Sequence, residues 1–154
     1  MNLHLSTVTL GVADLARSRA FYEQGLGLAP SSASNEQISF YQCGLMVLAL
    51  YPRQALAEDA CLPPERVGGH QGDPQGDLPL FDGVTLACNC SSRADVDALM
   101  ARAEAAGALI AKPAQDAFWG GYSGYFQDPD GHLWEAVNVP FFEHGPQGNL
   151  ILPK

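Results

Sequence analysis

Cations are scarce in this chain: eight Lys plus Arg stand against seventeen Asp plus Glu, for a formal net charge of −9. A surface this acidic repels phosphate backbones and anionic lipid unless its cations cluster, and only Arg17 and Arg19 form a close pair. Nucleic acid is therefore not an expected partner, whereas a neutral or cationic small ligand suits the field. Cysteine is sparse too. Cys43, Cys61, Cys88 and Cys90 include no Cys-x-x-Cys, so reduced thiols are expected and zinc binding by them is not. No apolar run approaches the roughly 18 residues of a membrane span. The opening Met1-Asn2-Leu3-His4-Leu5 lacks the basic and long apolar regions of a signal peptide. These absences together predict a cytoplasmic protein with no membrane contact.

What is present is a core. At 154 residues with 47% hydrophobic side chains, the length suits one ordinary domain. Residues 5–12 are rich in β-branched side chains and read as a strand. Asp14 then caps a helix from Leu15 to about Gln24, stopped by Gly25-Leu26-Gly27. Gln37–Gln42 and Leu45–Tyr51 read as strands joined at Cys43-Gly44.

The second half repeats this order. Val84–Cys90 reads as a strand, with Cys88 and Cys90 on one face. Ser92 with Asp95 opens a helix whose Val96, Leu99, Met100 and Ala103 form a buried stripe, and Gly107 ends it. Leu109–Ala111, Tyr122–Gln127 and Leu133–Val139 are further strands, the last two joined by the turn Asp128-Pro129-Asp130-Gly131. Local echoes support a duplication: Val8-Thr9-Leu10 recurs as Val84-Thr85-Leu86, and Phe40-Tyr41-Gln42 as Tyr125-Phe126-Gln127. The expected organisation is one domain of two modules, about 5–51 and 84–139. A Pro/Gly-rich connector (52–82) lies between them, read as a floppy linker in preference to a lid, and an aperiodic tail (140–154) follows.

Two segments carry a family resemblance. Val12-x-Asp14-Leu15 with Arg17-Ser18, Phe21-Tyr22 and Gly25-Leu26-Gly27-Leu28 resembles the opening module of the vicinal-oxygen-chelate superfamily of glyoxalases, bleomycin-resistance proteins and extradiol dioxygenases. Phe118–Tyr125 and Asp128-Pro129-Asp130-Gly131-His132-Leu133-Trp134-Glu135 look like its last two strands. The resemblance implies an α+β fold of two βαβββ modules forming a curled, cup-shaped mixed sheet, and a homodimer.

Metal-using members of that superfamily place one ligand near the start of each module and one on its final strand. Carried over, these positions fall on Thr7 (Thr9 if the register differs by two), Leu48 (Ala49 if it slips by one), Thr85 and Glu135. Only Glu135 is a conventional ligand, and a divalent transition metal needs three or four. His4 and His132 lie three residues from Thr7 and Glu135, an odd offset that points them to the opposite face. His70 sits in the connector and His144 in the tail. No metal and no cofactor are therefore expected.

A carboxylate at 135 flanked by Trp134, Ala136 and Val137 is costly to bury without a donor or cation to meet it. The glycine-aromatic stretch 118–125 either fills a small core or lets a ligand approach while Trp119, Tyr122 or Tyr125 stack on it. Two functions stay open. One is a ligand binder with a degenerate metal site, taking a neutral or cationic aromatic molecule among Thr7, Thr9, Leu48, Thr85, Trp119, Tyr122, Tyr125 and Glu135. The other is a lyase, isomerase or dioxygenase using Glu135 as its catalytic residue. No nucleophile elbow, phosphate loop or dinucleotide fingerprint offers a third chemistry.

Overall fold

Alternation of small polar and apolar residues builds the first strand, β1 (Thr7–Val12), whose Leu10 and Val12 are buried while Thr7 and Thr9 are exposed. The computed structural model of the chain describes residues 5–62 and 83–152. It comprises two compact units, Met1–Gly83 and Val84–Lys154.

In the first unit, the Asp14 side chain accepts from the Arg17 N–H at 3.0 Å and starts α1 (Leu15–Arg19). The helix widens into a π-helical turn (Ala20–Gly25) that places Phe21 and Tyr22 in the core. β2 (Ser39–Cys43) and β3 (Met46–Pro52) follow, in the mixed sheet order β1-β3-β2 with β1 parallel to β3. Among the described residues one strand fewer forms here than the resemblance implies. The missing ladder is reduced to a single bridge, Pro30 to Tyr41. Pro30 has no N–H to extend it, and the chain turns at once through the Ser34 N–H to Ser31 carbonyl bond.

The connector also begins differently from expectation. Arg53-Gln54-Ala55-Leu56-Ala57-Glu58-Asp59 forms α2 (Arg53–Asp59), buries Ala57 and pairs Gln54 with Glu58 one turn on. These are good helix formers placed directly after Pro52, and that local propensity outweighs the Pro/Gly bias of the wider segment. The rest of the expected linker, 63–82, lies outside the described residues.

The second unit is a complete strand–helix–three-strand module: β4 (Thr85–Asn89), α3 (Arg93–Ala105), β5 (Leu109–Asp116), β6 (Tyr122–Gln127) and β7 (Leu133–Asn138). Its order is β4-β7-β6-β5, with β4 parallel to β7. The Ser92 hydroxyl accepts from the Asp95 N–H and donates to its carboxylate, as the capping pattern predicts. Val96, Met100 and Ala103 bury the helix stripe against Phe126 and Ala136, while Leu99 is only half-buried. Asp128 Oδ1 accepts from the Asp130 and His132 N–H groups, so the expected turn is held by its own first residue. The tail departs from the aperiodic reading. Glu143–His144 (β8) and Leu150–Ile151 (β9) pair as a hairpin closed through Gly145 and Gly148.

The duplication is visible in the registers. Each parallel ladder starts at a threonine: Thr7 opposite Val47 in the first unit, Thr85 opposite Leu133 in the second. The fold is thus mixed α+β, with an open mixed sheet and a covering helix in each unit.

Candidate functional site

Residues directly opposite in a ladder share a face of the sheet, so the registers decide which side chains can meet. In the second unit, Ala87, Glu135 and Tyr125 are successive partners across β4, β7 and β6, and Lys112 of β5 completes the row. The helix lies on the other face. There Met100 of α3 sits over Gly124, and the Tyr122 hydroxyl donates to Asp97 of α3 at 2.8 Å. The row therefore occupies the face that α3 leaves open.

On that face the Tyr125 hydroxyl donates to Glu135 Oε1 at 2.7 Å. This is the donor that a half-buried carboxylate among apolar neighbours requires. Burial first, and the Glu135 bond second, push the Tyr125 phenol up to about 12. It stays a proton donor across the physiological range. Glu135 Oε2 accepts from no side chain or N–H among the described residues. The Lys112 ammonium lies 5.4 Å from the Tyr125 ring centroid, over its face.

Lys112 is the residue that sequence reasoning missed. The expected strand stopped at Ala111, and strict alternation from Ile110 would turn Lys112 toward the helix. The ladder instead shifts between Ile110, opposite Phe126, and Lys112, opposite Tyr125. The extra residue is a bulge that re-aims Lys112 onto the open face, next to Pro113 on an edge strand where a missing N–H is tolerated. Proline inside a strand run, a mark of an edge or a bulge, was the one available signal.

Two of the expected ligand-binding residues, Leu48 and Tyr122, lie on the helix-covered faces of their sheets. Leu48 pairs with Val8 and Tyr41 and is only 4% exposed. It belongs to the side on which Tyr41 meets Tyr22 and donates to Glu23 at 2.9 Å. Matching Gly44 to Gly131 misplaces it by one residue. The slipped register, Ala49, lies opposite Thr9 as Glu135 lies opposite Ala87. Tyr122 is the other: besides its bond to Asp97, its ring carries the Arg93 guanidinium at 5.0 Å, which pins it to the helix.

Thr7 and Thr9 are exposed on the face of their own sheet opposite Leu10 and Val12, and Thr85 is exposed on the Glu135 face. Trp119, 40% exposed in the β5–β6 loop, packs edge-on against Phe141 at 6.3 Å. Its ring covers Gly121 so closely that an added Cβ there would lie 1.8 Å from it.

The family resemblance raises the question of a metal, and the donor set does not fit one. Among the described residues no three His, Cys, Asp or Glu side chains come together to hold an ion. Position 135 alone carries a ligating group, with Thr7, Thr85 and either Leu48 or Ala49 at the others.

Comparison with known proteins agrees with this architecture. Residues 4–136 match the model of the Glyoxalase/Bleomycin resistance protein/Dioxygenase superfamily. A glyoxalase-related enzyme from Fulvimarina pelagi is 32% identical over 98% of this chain and 99% of its own, with a TM-score of 0.81. A glyoxalase/bleomycin resistance protein/dioxygenase family enzyme from Burkholderia phytofirmans PsJN is 22% identical over 89% and 99%, at 0.71. A lactoylglutathione lyase from Agrobacterium tumefaciens is 23% identical over 90% and 95%, at 0.62. The last two share the fold. No curated protein matches the chain.

Proposed function

Because this chain belongs to the Glyoxalase/Bleomycin resistance protein/Dioxygenase superfamily, we propose that it is a small-molecule-binding member with a degenerate metal site, taking a neutral or cationic aromatic ligand. The observation that carries this reading is the bond from Tyr125 to Glu135 Oε1, which orients the carboxylate and leaves Oε2 for a ligand donor. Lys112 already places one positive charge on the same row, so a neutral donor suits the face best, a monocation less well and a dication least. Trp119 offers a partly exposed ring on the loop that feeds β6.

The test is a thermal-shift and dye-displacement screen of neutral and cationic aromatics against the wild type, Glu135→Gln and Trp119→Ala. Glu135→Gln should weaken a donor ligand by about 1–3 kcal/mol without loss of fold. Trp119→Ala should weaken aromatic ligands irrespective of charge. Hits indifferent to both substitutions would place binding elsewhere.

A second reading has one observation in its favour. A proton donor within 2.7 Å of a carboxylate is also the arrangement of an acid–base pair, as a lyase, isomerase or dioxygenase of the superfamily would need. Turnover that survives Glu135→Gln removes that reading. We further propose a cytoplasmic homodimer. Light scattering should then give a mass near twice 16.4 kDa, and a monomer at all working concentrations would refute it.

A further inference from the structure

Cys88 and Cys90 lie outside the row described above. They sit two apart, Cys88 in β4 and Cys90 one residue past its end, where the Cys90 N–H continues the ladder to the Val137 carbonyl. Cys88 is exposed and Cys90 is buried, at 8% exposure. The Cys90 thiol points back along the strand and donates to the Cys88 carbonyl at 3.7 Å. Its own backbone is held on both sides, the N–H by the Val137 carbonyl at 2.7 Å and the carbonyl by Asn138 Nδ2 at 3.0 Å.

From this geometry we propose that Cys88 and Cys90 form a reversible thiol-modification site, in which Cys88 attacks small-molecule disulfides and Cys90 resolves the adduct. Two observations divide the roles. Exposure makes Cys88 the sulfur a reagent reaches first, and burial beside it keeps Cys90 out of reach of anything but Cys88. The protonation states agree with this division. An interaction between the two thiols, separate from the bond to the carbonyl, draws the Cys88 thiol down to about 7, while that interaction and then burial push the Cys90 thiol up. The thiolate, not the thiol, is the nucleophile.

The chemistry balances with the disulfide RSSR as the oxidant. Cys88 S⁻ attacks one sulfur, forms Cys88–S–SR and expels RS⁻, which takes the proton Cys88 gave up. Cys90 then attacks the Cys88 sulfur, forms Cys88–S–S–Cys90 and expels a second RS⁻, which takes the Cys90 proton. Two thiols are oxidised and RSSR is reduced to two RSH. Residues two apart on one strand face are about 6.6 Å apart at Cα and about as far at Cβ, beyond the roughly 4 Å Cβ separation of a disulfide, so closure requires the chain at Cys90, past the end of β4, to fold back toward Cys88. The product is therefore strained and readily reduced, as a regulatory disulfide is and a structural one is not.

The experiment uses the full reduced chain and one equivalent of 5,5′-dithiobis(2-nitrobenzoate) at pH 7, with peptide mass mapping. At pH 7 a thiol drawn down in this way is ionised to a larger fraction than an ordinary one. Lower intrinsic nucleophilicity offsets part of that gain, so Cys88 should react about threefold faster than a free cysteine standard. The wild type should release two thionitrobenzoate groups per site and end with Cys88 joined to Cys90. Cys90→Ala should release one and retain the adduct on Cys88. Cys88→Ser, at an exposed position that folding tolerates, should lose the fast phase. The proposal is overturned by a fast phase that survives Cys88→Ser, or by a wild type that keeps the adduct on Cys88 with Cys90 free.

Discussion

At the scale of single residues, the chain uses one device twice. Tyr41 donates to Glu23 on the helix side of the first sheet, and Tyr125 donates to Glu135 on the open side of the second. Burial is the leading cause in both, and each phenol is pushed up to about 12. A phenol whose folded value lies above its unfolded value of about 10 favours the native state only while neutral. That stabilisation is complete below about pH 10 and is lost as pH climbs toward 12. Absorbance at 295 nm should show the native chain keeping un-ionised tyrosines at pH 11 that ionise when denaturant is added. Tyr41→Phe and Tyr125→Phe should each remove one late ioniser. A folded chain whose five tyrosines all ionise together near pH 10 would contradict both placements.

At the scale of elements, the helix-facing side of the second sheet is built around a glycine. A Cβ on Gly124 would lie 2.8 Å from Met100 Cε of α3 and 2.9 Å from the Ala114 backbone nitrogen of β5. The methionine can move and the strand cannot. Gly124→Ala should therefore cost about 1–3 kcal/mol by overpacking, read as a lower urea midpoint with an unchanged slope. Gly121→Ala is the informative contrast, because every close atom there belongs to the Trp119 ring, a side chain that can swing away. It should change tryptophan emission while costing less than about 1 kcal/mol. Equal losses from both substitutions would mean that the ring is fixed and the loop around it is part of the core.

At the scale of the whole molecule, the donor census bears on metal content. The described residues contain no cluster of three ligating side chains, and the open-face positions hold threonine, alanine and a single glutamate. Transition-metal affinity falls steeply when a site is short of its third and fourth ligands. Elemental analysis of chain purified without chelator or added metal should find well under one zinc, nickel, manganese or iron per chain. One equivalent that only strong chelators remove would show that residues beyond those described complete a site. No helix among the described residues is long and apolar enough to cross a membrane.

Much of this was determined by the sequence alone, because the interactions involved are local. Asp14 and Ser92 cap helices by bonding N–H groups three residues on. Gly107 and Gly131, at φ +99 and +84, end a helix and turn a hairpin where a side chain would strain the backbone. Glu135 was reached through the family resemblance, and its apolar neighbours then called for a donor to meet its carboxylate. What only the tertiary structure decided is register. A period of two means that a shift of one residue reverses every side chain, and nothing local to Leu48, Tyr122 or Lys112 states which residue on the next strand stands opposite. The pairing of Val8 with Leu48, the pairing of Tyr122 with Asn138 and the bulge before Lys112 settled it. Those pairings moved Leu48 and Tyr122 to the helix faces and brought Lys112 to Tyr125, since strand pairing is a contact between residues distant in the chain.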